Sequence, residues 1–149
     1  MRSHMLHLKG RPDEVFSLFD PIGERKWSED WNPTMIHPTS GIAQGAVFVT
    51  TDNDGAETIW IITKLDRKNR NIVYTSVTPR LKVSLIDIGC EPEGVNCTKA
   101  RVTYTITALS EKGNQYVDSY SNERYHKWMT NWERAINHCL QHGQALKHH

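Results

Sequence analysis

The C-terminal third of the chain places the strongest constraint on the fold. From Ser110 onward, apolar residues recur at helical spacing. Val117, Tyr120, Tyr125, Trp128, Met129, Trp132, Ala135, Ile136, Cys139 and Leu140 make one wide stripe. Ser110 reads as the N-cap, with Glu111 just inside, and Gly143 reads as the stop. The pattern predicts one helix of about 30 residues, roughly 45 Å long at 1.5 Å per residue. A helix so long and so apolar on one side needs a large partner surface. The strands that precede it are the only candidate.

Those strands are read from alternation and turn signals. Segments 47–51, 57–65, 71–78, 81–90 and 97–109 are predicted strands, with a short one at 34–38. Asn53-Asp54-Gly55 is a hairpin turn, and Glu91-Pro92-Glu93-Gly94 another. The last strand alternates most cleanly. Ala100, Val102, Tyr104, Ile106 and Ala108 share one face, and Lys99, Arg101, Thr103, Thr105 and Thr107 share the other. One face is then buried and one wet, as in an antiparallel sheet. Segment 81–90 is less regular. Leu81, Val83 and Leu85 share a face, while Ile86, Ile88 and Cys90 share the opposite one, which predicts a bulge near Leu85-Ile86.

At the other end, residues 6–9 read as a first strand. Pro12, Asp13 and Glu14 open a short helix with Val15, Leu18 and Phe19 on one face. Asp20-Pro21 repeats the start signal, so a second short helix follows, running to about Trp27. Arg2-Ser3-His4-Met5 reads as a cloning remnant. The expected domain is therefore 5–143, with residues 1–4 outside it and 144–149 as a tail.

At 149 residues the chain has the length of one domain that can bury a core without disulfides or metals. No apolar run approaches the roughly 18 residues of a membrane span. Lys and Arg (18) nearly balance Asp and Glu (17), and a net charge of +1 offers no electrostatic reason to expect nucleic acid. Three cysteines (Cys90, Cys97 and Cys139), with no signal peptide, point to free thiols and a cytoplasmic location. A homodimer is compatible with this reading. No cofactor is expected.

The order strand, two short helices, antiparallel strands and long final helix resembles the SRPBCC superfamily, which includes START domains and polyketide cyclase/dehydratase-like proteins. The stretch Val15-Phe16-Ser17-Leu18-Phe19-Asp20-Pro21-Ile22-Gly23-Glu24-Arg25-Lys26-Trp27, continuing to Trp31-Asn32-Pro33, is similar to the opening motif of its bacterial members. Gly45-Ala46-Val47-Phe48, Thr58-Ile59-Trp60 and Thr107-Ala108-Leu109-Ser110 extend the likeness, as do Trp128 and Trp132 in the final helix. It covers roughly residues 6–143. The resemblance implies an α+β helix-grip fold, in which a curved antiparallel sheet of about six to seven strands wraps a long C-terminal helix. It also implies an internal cavity for a small apolar molecule, with catalysis in only some members.

Candidate ligand contacts are aromatic. Trp27 and Trp31 lie four apart, as do Trp128 and Trp132, and Trp60 lies on a strand. An indole offers area and one N–H donor, which suits a pocket, although core filling is the ordinary role of any single tryptophan. Tyr74, Tyr104, Tyr120 and Tyr125 supply hydroxyls, and Tyr104 sits on an otherwise apolar face. Arg124 precedes Trp128 by one turn and is a candidate anchor for a ligand carboxylate, or a partner for Asp87 or Asp118. His37 lacks a nucleophile or carboxylate beside it in sequence. His138 and His142 have the i, i+4 spacing of a metal pair but no third ligand, so no metal is expected. Asp52-Asn53-Asp54-Gly55 lacks the later ligands of a calcium loop.

Three functions compete. A binding protein predicts a cavity lined by carbon with a few hydroxyls. A cyclase/dehydratase-type enzyme on a polyketide-like or aromatic substrate needs a His, Arg or carboxylate inside the cavity. An interaction module of the heat-shock ATPase activator type predicts a filled core and a large exposed apolar patch.

Overall fold

The computed structural model describes residues 1–39, 41–52 and 54–143. Seven strands form one open antiparallel sheet: β1 (Arg2–Leu8), β2 (Thr34–His37), β3 (Val47–Thr51), β4 (Glu57–Asp66), β5 (Asn71–Thr78), β6 (Lys82–Pro92) and β7 (Thr98–Ala108). Their order is β1-β7-β6-β5-β4-β3-β2. Consecutive strands from β3 to β7 pair through short turns, β2 pairs with β3 at one edge, and β1 pairs with β7 at the other. The helix α1 (Pro12–Ser17) and a 3₁₀ turn (Gly23–Lys26) connect β1 to β2. The last described elements are α2 (Glu111–Ser119) and α3 (Asn122–His142).

The two start signals near the N-terminus operate as the residues suggest. Pro12 occupies the first turn of α1. Asp20 turns its Oδ1 back to accept the amides of Ile22 (3.0 Å) and Gly23 (2.6 Å), which starts the 3₁₀ turn. Gly23 is required there for space: a Cβ at this position would lie 1.8 Å from the Ser17 carbonyl oxygen.

The inner face of the sheet is a grid read across the strands. One row runs Ile62, Tyr74, Ile86, Tyr104. The next runs Trp60, Ser76, Ser84, Ile106. Large side chains in the first row pack the core, with Ile62 fully buried and Ile86 nearly so. Two serines in the second leave room above them.

The 21-residue α3 lies over this face. Tyr125, Met129, Ile136 and Cys139 are its buried side chains, and the Tyr125 hydroxyl donates to the Val102 carbonyl at 2.7 Å. Its flank clamps the β1 edge: the Lys9 amide donates to Asn137 Oδ1 (2.8 Å), and Asn137 Nδ2 donates to the His7 carbonyl (3.1 Å).

Three expectations are corrected. The single long helix is two helices. Ser110 caps α2 as expected, accepting from the Gly113 amide at 3.1 Å, but the chain leaves helical geometry at Tyr120 (φ −89°, ψ 76°). Ser121 then caps α3 by accepting from the Arg124 amide at 3.1 Å. The bulge at Leu85-Ile86 does not exist. The β5–β6 register is continuous from Asn71↔Gly89 to Thr78↔Lys82, and Leu85 points outward, 46% exposed. Val83 and Leu85 are outward apolar residues, so the inward set is Lys82, Ser84, Ile86, Ile88 and Cys90. Register shifts occur instead in β4 between Ile62 and Lys64 and in β2 between Met35 and His37. Finally, the first strand begins at Arg2 rather than Leu6: Arg2, Ser3 and His4 pair with Tyr104, Thr103 and Val102. Residues 144–149, the expected tail, lie outside the described residues. Cys90, Cys97 and Cys139 are free thiols, and no described helix is long and apolar enough to cross a membrane.

Candidate functional site

Between the serine row of the sheet and α3 lies a cavity of about 330 Å³. That is the low end of the roughly 300–1,000 Å³ range of small-molecule sites. Its floor is Ser76, Ser84, Ile86 and Ile88, flanked by Tyr74 and Tyr104. Trp128 and Trp132 descend from α3, Trp60 rises from β4, and Trp31 comes from the segment before β2. Glu24, Ser28, Asp30 and Lys82 complete the lining.

The aromatic walls form two connected groups. On the sheet side, Phe48 stacks on Trp60 with ring centroids 5.7 Å apart, and Trp31 and Tyr74 meet Trp60 edge-on at 5.4 and 5.9 Å. On the helix side, Tyr104 contacts Trp128 at 5.0 Å, and Trp128 contacts Trp132 at 5.5 Å. Such edge and offset contacts lock ring orientation as well as adding area. The Trp31 indole N–H donates to the Pro21 carbonyl (2.8 Å), and the Trp60 N–H to Thr50 Oγ1 (2.9 Å). These two indoles therefore offer the cavity apolar surface, their donors being engaged elsewhere.

The polar groups are few and differ in state. The 3₁₀ turn delivers Glu24. Its carboxyl is half-buried by surface area, yet protein encloses it closely enough to push it up to about 8, through desolvation first and the nearby Asp20 charge second. Burial, then the Glu24 charge, also raises the Tyr74 and Tyr104 hydroxyls well above the usual range, and both line the cavity with Glu24. Tyr74 Oη donates to the Phe19 carbonyl at 2.5 Å and is thereby held. Lys82 begins β6 on the inner face, its Nζ 4.9 Å from the centre of the Tyr116 ring. Burial lowers the Lys82 ammonium, and no carboxylate offsets that shift. Ser84 is 2% exposed, and among the described residues its hydroxyl has no hydrogen-bond partner.

Of the side chains singled out in the sequence, Trp31, Trp60, Tyr74, Tyr104, Trp128 and Trp132 meet around this cavity. Others stand elsewhere. Tyr125 is buried on α3 and donates to the Val102 carbonyl. Trp27 is a core residue, 3% exposed, packed edge-on against Trp132 at 5.3 Å and donating to the Leu18 carbonyl at 2.7 Å. Tyr120 is buried at the α2–α3 break beside a separate, smaller hollow. Arg124 is exposed, its guanidinium 5.8 Å from the Tyr120 ring centre, and it reaches neither Asp87 nor Asp118. Asp87 instead accepts from Asn71 Nδ2 at 2.8 Å. The His138 and His142 rings lie 4.5 Å apart, tilted by 44°, and among the described residues no group of three or more His, Cys, Asp or Glu is placed to hold a metal.

Sequence reasoning missed Glu24, Lys82, Ser76 and Ser84. For Lys82 and Ser84 the signal was present. With the parity of Ile86, Ile88 and Cys90 carried unbroken through β6, both fall on the inner face. Glu24 gave no signal, because its position depends on how the 3₁₀ turn lies against the sheet.

No family model and no curated protein matches this sequence. Solved structures do match in shape. Norcoclaurine synthase from Thalictrum flavum superposes with a TM-score of 0.66 at 10% identity, over 95% of this chain and 86% of that one. The di-domain ARO/CYC BexL from the BE-7585A biosynthetic pathway matches with a TM-score of 0.69 at 16% identity, over 94% of this chain and 48% of that one. Ara h 8.0201 matches with a TM-score of 0.64 at 13% identity, over 94% and 96%. The chain has the helix-grip fold of these structures. This helix-grip chain spans about half the length of BexL. At these identities the likeness concerns architecture, and the chemistry rests on the cavity's own residues.

Proposed function

We propose that this chain binds a small, flat, largely apolar molecule in the cavity between the sheet and α3. The observation that carries the reading is the cavity itself, about 330 Å³, walled by Trp31, Trp60, Trp128 and Trp132 and floored by a serine whose hydroxyl has no partner among the described residues. Aromatic walls favour a planar ligand, and an orphaned buried hydroxyl costs free energy that a ligand acceptor or donor would offset. An interaction module expects a filled core, which this cavity does not fit. The shape neighbours agree with the reading: norcoclaurine synthase has been solved in complex with dopamine and hydroxybenzaldehyde.

Native mass spectrometry of the chain isolated from its own host tests the proposal, with saturable one-to-one binding of 1-anilinonaphthalene-8-sulfonate as a second readout. A retained small-molecule mass, or displacement of the probe by host extract, supports it. A bare chain that also fails to bind the probe overturns it.

Glu24 favours a second reading, an enzyme of the cyclase/dehydratase type. A carboxyl poised near 8 inside an aromatic cavity is matched to proton transfer near neutral pH. That reading predicts hydrogen–deuterium exchange at the carbon next to the carbonyl of a bound aryl ketone, lost in Glu24→Gln. Exchange unchanged in Glu24→Gln would remove it.

A further inference from the structure

The ionisable groups of the cavity stand apart. Tyr74 and Tyr104 flank Ile86, four residues along β6 from Lys82. The carboxylates of the lining are Glu24, whose shift comes from burial and Asp20 rather than from Lys82, and Asp30, which is exposed. Lys82 and Ser84 stand two residues apart on the inner face of β6, about 7 Å at the usual strand rise. Ser76 faces Ser84 directly across the β5–β6 pair. Among the described residues no carboxylate lies within ion-pair distance of Lys82. The Ser84 hydroxyl, 2% exposed and lining the cavity, is likewise unpartnered. A half-buried ammonium without a counter-ion and a buried hydroxyl without an acceptor are two independent deficits, and both are hydrogen donors. One group of atoms would satisfy both.

We propose that Lys82 and Ser84 form a subsite for an anionic oxygen, so that the ligand is a planar aromatic molecule carrying a carboxylate or phenolate. The proposal rests on the reading of the cavity as a ligand site and names the ligand's chemical class. The ring body lies against Trp60 and Trp128, and the anionic oxygen accepts from Lys82 Nζ and Ser84 Oγ. Glu24 does not oppose this at neutral pH, because its carboxyl stays mostly protonated. The Tyr116 ring steadies the ammonium by its π face but leaves its hydrogens free to donate.

Calorimetric titration of the full chain at pH 7 with three probes of nearly equal shape tests this: 2-naphthoate, 2-naphthalenemethanol and 2-naphthylmethylamine. The acid is expected to bind about 10-fold or more tighter than the alcohol, as one charge-assisted hydrogen bond implies, and the amine weakest. Lys82→Gln should bring the acid down to the alcohol's affinity. Ser84→Ala should weaken the acid a few-fold and leave the alcohol unchanged. The wild-type ranking stands as a test even if a variant fails to fold. Equal affinities, or an amine that binds best, overturn the anion subsite and leave cavity binding intact. Failure of all three probes to bind overturns both.

Discussion

At neutral pH the Glu24 carboxyl holds its proton most of the time, whereas the same residue in the unfolded chain is ionised. The folded state therefore binds more protons between the ordinary value of 4.5 and about 8. By linkage, the Glu24 contribution to stability is highest below 4.5, declines as pH rises through that window, and is constant above it. Chemical denaturation at pH 5 and pH 8 should show wild type losing stability relative to Glu24→Gln as pH rises. A gap between the two proteins that does not change with pH would mean that the carboxyl is not desolvated. Cys90 is governed by the same physics with less consequence: burial pushes its thiol up to about 12, which makes it a core residue rather than a nucleophile. None of these protonation states was legible in the sequence, because desolvation depends on neighbours contributed by distant segments.

Two short elements decide where the chemistry sits. The 3₁₀ turn is held by the Asp20 side chain on one side and by the contact of Gly23 with the Ser17 carbonyl on the other. Gly23→Ala would force that contact apart and shift Glu24 with it. A loss of about 2 kcal/mol or more is expected in urea denaturation, with the Glu24-linked pH dependence flattened as well. A variant of wild-type stability would show that the turn has slack. The break between α2 and α3 is the other such element. Its signal, Ser121 ahead of Asn122 and Glu123, was present in the sequence but lay inside an unbroken apolar stripe, and periodicity outweighed the cap. In β6 the error ran the other way. Val83 and Leu85 are apolar on the outer face, so hydrophobicity pointed to the wrong side until pairing with β5 and β7 resolved it.

Over the whole molecule, the cavity exists because the sheet and α3 are held apart by large side chains while Ser76 and Ser84 leave the space between them unfilled. Filling that space should strengthen the fold and weaken binding. Ser76→Leu adds apolar area worth about 2 kcal/mol when buried, partly offset by lost rotamer freedom. A rise of a few degrees in melting temperature, with loss of 1-anilinonaphthalene-8-sulfonate binding, is the expected outcome. A lower melting temperature with binding retained would show that the residue does not face the cavity. The sequence by itself determined the architecture, from the alternation of β7, the hairpin signals and the apolar stripe of α3, because strand and helix periods are local properties of the chain. It also named six of the aromatic residues that line the cavity, since large rings on inward faces must meet somewhere. Only the tertiary structure decided that Trp27 fills core while Trp31, four residues on, lines the cavity. It alone set Glu24, Lys82 and an unpartnered Ser84 around one space. Those facts depend on which segments converge and on how much water they exclude, and no local pattern of residues encodes either.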